Sequence, residues 1–327
     1  MKVAILIPVS PFEPLETILK SVERMKSLDL ESFKSKIIYV IDKKNPSDER
    51  IERLREIDVE VLIRDQNRGK RAGAINDGLD FLKDFNPDYL VIFDVDSNPS
   101  RDFVKTCIRA LEKDKKAYLA STRRYIYNPI NLTSKAVWFE YRVLNFLLKR
   151  TRFKQFNGLI GVLRFDKISR YKLREDFIAE DAEFATRMHC LGYRAILVDG
   201  KLLEQAPMNW KDLFNQRCRW YYGGLQLWKH FKDVLRTRDL GFMISWISSL
   251  TLTYVVSIFS PLLPLSIPYL IYKFGFREGL KGFVGLIIHT FILQSSAIYS
   301  IFTFLFKRGV EWKPVKRIET YKAQFLR

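Results

Sequence analysis

Length, composition and charge limit the classes of protein to which this chain can belong. Its 327 residues suffice for two domains or for one large domain with an appendage, and 47% of them are hydrophobic, so a sizeable core is expected. The formal net charge of +18 favours an anionic partner: nucleic acid, a phosphorylated substrate or an anionic membrane surface. The three cysteines lie far apart, which argues against a disulfide framework or a zinc site and favours a reducing compartment.

The first third of the chain alternates strand-like apolar runs with helical patterns. Strands are predicted over residues 3–9, 36–42, 59–64, 89–94 and 117–121, and helices over residues 15–28, 47–57, 72–85 and 100–114. Ser47 and Ser100 are the predicted N-caps of the second and fourth helices. This alternation is typical of βαβ units, and it predicts an α/β domain with a largely parallel sheet.

The middle of the chain is less regular. Asn157-Gly158 and Gly161 predict a loop or strand whose backbone closely approaches another group. A helix is predicted over residues 180–191 and a strand over residues 195–199. The stretch Trp210–Leu235 is rich in aromatic and basic residues, which is typical of an amphipathic helix on a membrane surface.

Two long runs near the C-terminus contain no charged residue. They are Phe242–Tyr272 and Phe283–Phe306, and each exceeds the roughly 20 residues that a helix needs to cross a bilayer. Pro261, Pro264 and Pro268 predict a kink or break in the first run. A buried hairpin of a soluble protein is the alternative, but uncharged runs of this length favour two membrane crossings.

These patterns divide the chain into four predicted segments. Residues 1–208 form the α/β domain, 209–240 amphipathic interface helices, 241–306 a transmembrane region of about two spans, and 307–327 a basic tail. The apolar run before Pro8 is too short for a signal peptide, so we expect the N-terminal part in the cytoplasm. The basic tail is expected there too, which makes the predicted protein a multi-pass membrane protein.

An acidic pair follows the predicted fourth strand. Because residues i and i+2 of a strand point to one face, Asp94 and Asp96 are expected to project together at the carboxyl end of that strand, where α/β sheets bind ligands. Two carboxylates so close repel each other unless a cation lies between them. Mg²⁺ or Mn²⁺ carrying phosphate oxygens fits that requirement. The alternative is an Asp-rich turn without a ligand.

Other polar residues lie where a phosphorylated ligand could be bound. Asp42 ends the second strand at the same sheet edge, where it could accept a hydrogen bond from a nucleobase or ribose. Lys70 stands just before a helix, and a helix N-terminus with a lysine favours phosphate. Each has a plainer interpretation, namely a strand-end turn for Asp42 and a basic helix start for Lys70.

Two further groups could act on an acceptor. Asp181, beside Glu180 at a helix start, is suited to be a general base toward an alcohol, although acidic residues also favour helix starts for electrostatic reasons. Gln216, Arg219 and Trp220 lie within about one helical turn. Arginine offers a fork for phosphate and tryptophan a face for a sugar ring, whereas a membrane-interface anchor is the alternative.

The order of these pieces resembles the family-2 glycosyltransferases of GT-A fold, in particular the membrane-integrated group with cellulose, chitin and hyaluronan synthases and ceramide glucosyltransferase. The resemblance covers roughly residues 1–240 and the general layout of the tail with Glu311-Trp312. Ala179 stands where many members have threonine. The matching positions are Pro8, Asp42, Asn67-x-Gly69-Lys70, Asn76-x-Gly78-Leu79, Asp94-x-Asp96, Phe156-Asn157-Gly158, Glu180-Asp181 and Gln216-x-x-Arg219-Trp220.

This resemblance implies a metal-dependent, inverting transfer of a sugar from a nucleoside diphosphate sugar, UDP-linked in the first instance. Asp181 would be the base, and Asp96 with Asp94 would hold Mg²⁺ or Mn²⁺. The implied donor-binding residues are Pro8, Asp42, Lys70, Asp94 and Arg219. The implied acceptor-binding residues are Asn157, Gly158, Glu180, Gln216 and Trp220.

The sequence leaves several alternatives open. The acceptor is either a lipid, which the small membrane region favours, or a growing polysaccharide, which the Gln-x-x-Arg-Trp motif favours. A non-catalytic nucleotide-sugar-binding membrane subunit is a different class, and the complete set of Asp94, Asp96, Asp181 and Arg219 argues against it. Nucleic-acid binding rests only on the net charge, which attraction to membrane lipids explains better. The oligomeric state is open.

Overall fold

The structure is a computed structural model that describes residues 1–310. The chain forms two compact units that interleave along the sequence. The sheet unit comprises residues 1–123, 153–202 and 232–237, and among the described residues the helical unit comprises 124–152, 203–231 and 238–310. The predicted four-segment division stays a prediction, and most of its basic tail, including Glu311-Trp312, lies outside the described residues.

Within residues 1–310, eight strands form one sheet in the order β3-β2-β1-β4-β7-β6-β8-β5. Strand β1 pairs in parallel with β2 and β4, and β2 pairs in parallel with β3, whereas β7 is antiparallel to both β4 and β6. The strands are β1 (Lys2–Val9), β2 (Lys34–Asp42), β3 (Glu60–Arg64), β4 (Tyr89–Ile92), β5 (Asn98–Pro99), β6 (Ala117–Ile126), β7 (Gly161–Arg164) and β8 (Arg194–Glu204). The predicted α/β class with a mostly parallel sheet is confirmed.

The helices connect these strands and build most of the helical unit. They are α1 (Leu15–Lys26), α2 (Glu49–Glu56), α3 (Lys70–Phe81), α4 (Phe103–Lys113), α5 (Leu132–Arg150), α6 (Phe165–Tyr171), α7 (Glu180–Cys190), α8 (Trp210–Leu227), α9 (Phe231–Arg236), α10 (Leu240–Thr251), α11 (Ile267–Phe274) and α12 (Phe276–Leu305). Two short 3₁₀ segments cover Asn157–Leu159 and Trp228–His230, and a 15-residue one covers Leu252–Ser266.

The central strands are buried on both faces. Ile5 and Ile7 of β1 belong to a cluster with apolar residues of α1 and α4, while Leu6 between them points the other way. There it meets Gly78 of α3, whose position leaves no room for a side chain. Burial on both faces explains why these strands read as continuous apolar runs, as parallel strands covered by helices do.

Three local predictions were wrong. Helix α2 begins at Glu49, so Ser47 is not its cap; Asp48 is, and its carboxylate accepts a hydrogen bond from the Arg50 amide at 3.2 Å. Helix α4 begins at Phe103, three residues beyond Ser100. Strand β4 ends at Ile92, so the acidic pair lies on the turn after the strand, and the alternation of strand side chains does not govern its direction.

The helical unit contains two stretches that are long and apolar enough to cross a membrane. They are Leu240–Phe274 and Phe276–Leu305. The predicted break in the first is confirmed, because Pro261 and Pro264 lie in its 3₁₀ segment. Within the unit, α12 packs along α8, where the Ser300 hydroxyl donates to the Cys218 carbonyl at 3.0 Å.

Candidate active site

Parallel strand ends bring several predicted site residues to one edge of the sheet. In register, Pro8 lies beside Val40 and Asp42 beside Arg64, while Ile92, two residues before Asp94, pairs with Leu6. Carboxyl ends of parallel strands are where open α/β sheets bind ligands. The predicted location of Asp42 at the same edge as Asp94 therefore follows from strand pairing, and Pro8 lies at this edge as well.

Asp42 is buried in an ion-pair network that the sequence analysis missed. Its carboxylate pairs with the buried Arg64 guanidinium at 2.5 Å, and Arg64 also donates to Asp77 at 2.7 Å. Burial raises the pKa of Asp42 to about 6, although Arg64 acts in the opposite direction. A signal for this pair was present, because both residues end neighbouring strands.

Lys70 is the first residue of α3 and is exposed. Gly69 and Lys70 both have left-handed backbones, with φ of 63° and 49°. Glu175 covers Gly69 so closely that a side chain would not fit there. Asn76, another matching position, is structural: its amide group donates to the Leu173 carbonyl at 2.9 Å and accepts from the Leu173 amide at 2.9 Å.

Arg71, not noted in the sequence analysis, joins the acidic residues of the site. Its guanidinium donates to Asp94 at 3.0 Å, to Glu180 at 3.1 Å and to the Gly158 carbonyl at 2.5 Å. Burial lowers the pKa of Arg71, but the carboxylates of Asp94, Glu180 and Asp181 outweigh that effect and raise it. The arginine therefore stays charged and ties α3, the turn after β4, the 157–159 segment and α7 together.

Asp181 is oriented by two backbone amides. Its carboxylate accepts hydrogen bonds from the Gly158 amide at 2.5 Å and from the Ala182 amide at 2.8 Å. Gly158 has φ of 66°, and a Cβ there would lie 3.0 Å from Arg71 and 3.4 Å from Asp94. The predicted close backbone approach at Asn157-Gly158 is thus confirmed, since the Gly158 backbone lies close to both Asp181 and Asp94.

Glu180 is an acid of this cluster whose pKa is raised. Burial and the neighbouring Asp181 charge raise the pKa of Glu180 to about 7, against the lowering effect of Arg71. A carboxyl group that titrates near neutral pH among other carboxylates is typical of a functional site.

The acidic pair fits a divalent cation that shares ligands with a substrate. Asp94 and Asp96 lie on a tight turn in which the Ser97 amide donates to the Asp94 carbonyl at 2.9 Å. No group of three or more His, Cys, Asp or Glu residues that could hold an ion by itself occurs within residues 1–310. Mg²⁺ is commonly bound by one or two carboxylates plus substrate phosphates, so two carboxylates suffice.

The remaining predicted site residues lie on α8 in the helical unit. Gln216, Arg219 and Trp220 are each half-buried there. Between them lies Arg217, which the sequence analysis passed over. It is 2% exposed and forms an ion pair with Glu140 of α5 at 2.6 Å.

A family model described as "Glycosyl transferase family group 2" matches residues 89–299, well over half of the chain. The chain belongs to this family. The matched region of this glycosyltransferase starts at β4, includes the acidic pair and Asp181, and extends through most of α12. The predicted family resemblance is confirmed.

The curated relatives that the chain matches include plant glucomannan 4-beta-mannosyltransferases and a bacterial cellulose synthase catalytic subunit. "Probable glucomannan 4-beta-mannosyltransferase 4" of Oryza sativa subsp. japonica is 27% identical over 186 residues, which are 54% of this chain and 33% of that protein. "Cellulose synthase catalytic subunit [UDP-forming]" of Pseudomonas fluorescens (strain SBW25) is 26% identical over 205 residues, 59% of this chain and 27% of that protein. The glycosyltransferase thus spans about a third of the length of the first curated relatives it matches.

Solved structures share the fold. The mannosyltransferase PcManGT from Pyrobaculum calidifontis, in complex with GDP-Man and Mn²⁺, has a TM-score of 0.64 at 17% identity, covering 94% of this chain and 88% of that one. S. aureus TarS 1-349 in complex with UDP has a TM-score of 0.50 at 12% identity, covering 98% and 95%. The predicted GT-A fold is confirmed.

The raised pKa of Glu180 predicts that stability falls as pH rises. Between about pH 4.5, the ordinary value, and pH 7, the folded protein binds a proton that the unfolded chain has released. The free energy of unfolding therefore decreases across that window, by up to about 1.4 kcal/mol per pH unit. Glu180→Gln, which cannot titrate, should flatten the dependence. The raised pKa of Asp42 also makes the free energy of unfolding fall as pH rises, but Asp42 is present in both the wild type and Glu180→Gln.

Thermal unfolding of the wild type and of Glu180→Gln, in detergent from pH 4.5 to 8, measures how stability depends on pH in each protein. Glu52→Gln, at an exposed carboxylate of α2, is the matched control and should follow the wild type. Equal slopes for the wild type and Glu180→Gln would rule out the assigned titration.

Proposed function

We propose that the chain transfers a hexose from a nucleoside diphosphate sugar to a membrane-associated acceptor, with inversion at the anomeric carbon. The observation that carries this proposal is the convergence of Asp94, Glu180 and the Gly158 carbonyl on Arg71, with Asp181 bonded to the Gly158 amide. Such a cluster at the carboxyl edge of a sheet is suited to a phosphorylated donor. Family membership supports the same reaction class.

The donor is proposed to lie across the ends of β1, β2 and β4. Pro8 and Asp42 would contact the nucleoside, and Lys70, exposed at the start of α3, would contact the diphosphate. A UDP-linked sugar is the first choice. GDP-mannose is the alternative, because a similar solved structure contains it.

Asp96, with Asp94, would hold Mg²⁺ or Mn²⁺. When bound, this ion would neutralise charge on the diphosphate leaving group. Asp94 shares its carboxylate with Arg71, so the guanidinium can offset the charge of Asp94 before the donor arrives. The family resemblance assigns Arg219 to the diphosphate as well, which stays a prediction.

Asp181 would be the base that takes the proton of the acceptor hydroxyl. Its two amide hydrogen bonds fix the direction of the carboxylate, which is what a positioned base requires. Asn157 and Gly158 lie in the 157–159 segment that bonds Asp181, and Glu180 precedes Asp181 on α7. These three residues would contact the acceptor. One base and in-line attack convert an α-linked donor into a β-glycoside.

Asp181→Asn is expected to bind the donor normally and to lose transfer. The amide cannot accept the proton, so the transfer rate should fall about 100-fold or more, while the donor Kd stays within about threefold. Donor binding by calorimetry and transfer from radiolabelled sugar nucleotide give the two values. Asp84→Asn, at an exposed aspartate, is the control. Transfer at the wild-type rate in Asp181→Asn would eliminate it as the base, and loss of donor binding as well would favour a structural role.

The acceptor is proposed to be a lipid, with a growing polysaccharide as the alternative. The lipid is supported by a membrane region with two candidate spans among the described residues. The polysaccharide is supported by the names of the curated relatives, of which this chain spans only a part. Gln216 and Trp220 would contact either acceptor.

Product analysis distinguishes the two acceptors. Membranes that contain the protein are incubated with radiolabelled UDP-glucose or GDP-mannose and Mn²⁺, and a single labelled product is expected in the organic phase. The Asp181→Asn membranes give the background. A ladder of high-mass, water-soluble material would contradict the lipid acceptor and would support the processive synthase.

We also propose that the protein is an integral membrane protein with two crossings and a cytoplasmic sheet unit. Besides the two candidate spans, α5 exposes Val143, Leu144, Phe146 and Leu147 beside Lys149 and Arg150. Exposed apolar residues next to basic ones suit a bilayer interface with anionic lipids.

Alkaline carbonate extraction tests the crossings. The protein should stay with the membrane pellet, because carbonate releases proteins that are bound only through charge. Release into the supernatant would contradict spanning and would leave a surface-bound enzyme.

A further inference from the structure

Arg217 of α8 is a charged side chain enclosed within the helical unit. Only 2% of its surface is exposed. One side of the guanidinium donates to the Glu140 carboxylate of α5 at 2.6 Å. Its face lies over the indole of Trp220, with 4.0 Å from Cζ to the ring centroid. The guanidinium thus lies between a carboxylate and an aromatic ring.

This arrangement is costly if its only role is packing. The Nε and Nη1 atoms of Arg217 have no hydrogen-bond partner among residues 1–310. Leaving such donors unpaired costs roughly 1–3 kcal/mol, and apolar residues commonly replace buried ion pairs without loss of stability. A function other than packing would explain why the charge lies here.

Glu140 is held in its charged form from two sides. Burial raises the pKa of Glu140, but Arg217 and His289 outweigh it and lower the pKa. His289, on α12, lies 3.2 Å from the same carboxylate oxygen that Arg217 contacts. Side chains of α8 and α12 therefore both contact this carboxylate of α5, and the carboxylate anchors the Nη2 end of the Arg217 guanidinium.

Trp220 follows Arg217 by three residues, so the two side chains share one face of α8. A guanidinium over an aromatic face restricts the ring, and the interaction strengthens when both groups are desolvated. Trp220 is only half-buried, so part of the indole is accessible to a ligand. A ring held in advance loses less conformational entropy when a sugar or lipid headgroup stacks on it.

We infer that the Glu140–Arg217 ion pair positions the Trp220 indole for acceptor binding. Glu140 and Arg217 are positioning residues that act through Trp220. The inference rests on the proposed function, which gives Trp220 its acceptor role. It gives a structural cause for the orientation of the Trp220 ring. It also predicts that disrupting the ion pair changes binding of the acceptor and leaves binding of the donor unchanged.

Three variants and one control test it. Glu140→Gln removes the charge at nearly constant shape, Arg217→Lys keeps the charge but removes the planar fork, and Trp220→Ala removes the ring. Lys135→Gln is the control, because Lys135 is another buried cation of the helical unit, located on α5 and paired with Glu278 of α12. It breaks an ion pair in the same unit that involves neither Arg217 nor Trp220.

The first measurement needs no activity. Protein labelled with 5-fluorotryptophan is examined by ¹⁹F NMR, and the Trp220 resonance is assigned with Trp220→Phe. Glu140→Gln and Arg217→Lys should shift or broaden that resonance, while Lys135→Gln leaves it unchanged. An unchanged Trp220 resonance in both variants would overturn the inference, whatever the enzyme transfers.

The second measurement separates acceptor from donor. With mannohexaose or a polyprenyl phosphate as acceptor, whichever the product assay supports, both variants should raise the acceptor KM about fivefold to tenfold. The KM for the sugar nucleotide should stay within about twofold. In Trp220→Ala, adding Arg217→Lys should have no further effect on the acceptor KM. Equal rises in both KM values, or additive effects in the double variant, would contradict positioning through Trp220.

The NMR and the kinetic measurements can contradict the inference and the proposed function independently of each other. If no sugar nucleotide supports transfer in the wild type, the proposed function fails while the NMR result still decides the ring's orientation. If the resonance moves and the acceptor KM does not, the link between Trp220 and the acceptor is refuted.

Discussion

One guanidinium, that of Arg71, holds together the acidic side chains on which the proposed chemistry depends. Asp94, Glu180 and Asp181 come from two separate parts of the chain, and carboxylates gathered so closely repel each other without a cation among them. Arg71 also bonds the Gly158 carbonyl, and the Gly158 amide in turn bonds Asp181. Loss of this residue would release the turn after β4 and the start of α7 at once.

The same interaction affects one of the two carboxylates of the proposed metal site. Asp94 is paired with Arg71, whereas the carbonyl of Asp96 accepts a hydrogen bond from Arg24 at 3.4 Å. A cation that arrives with a diphosphate at the proposed site would meet an Asp94 carboxylate that is already paired with Arg71.

The fold was largely predictable because apolar strands buried on both faces leave a plain pattern in the sequence. Short-range polar contacts were less predictable: Asp48 competes with Ser47 as a cap, and Arg50 decides between them by pairing with Asp48. Helix α5 was missed because its C-terminal half exposes Val143, Phe146 and Leu147 among basic residues, which obscures helical periodicity. Arg71 was missed because no spacing rule connects it with Glu180, 109 positions away.

Charged groups also organise the apolar helical unit. Glu140 of α5 forms an ion pair with Arg217 of α8 and lies 3.2 Å from His289 of α12. In surroundings of low polarity, an ion pair orients its two side chains more than it raises the free energy of unfolding. The sheet unit and the helical unit thus share one feature, an arginine that pairs with carboxylates from other elements of its own unit.

The central claim is that the turn carrying Asp94 and Asp96 forms a metal-dependent site for a nucleoside diphosphate sugar. The most direct measurement is calorimetric titration of the detergent-solubilised protein with UDP-glucose and with GDP-mannose, with Mn²⁺ and with EDTA, in the wild type, Asp96→Asn and Asp84→Asn. The account predicts binding of at least one sugar nucleotide with Mn²⁺, weakened about tenfold or more by EDTA or by Asp96→Asn and unaffected by Asp84→Asn. Equal affinity with and without the metal, or in Asp96→Asn, would contradict it.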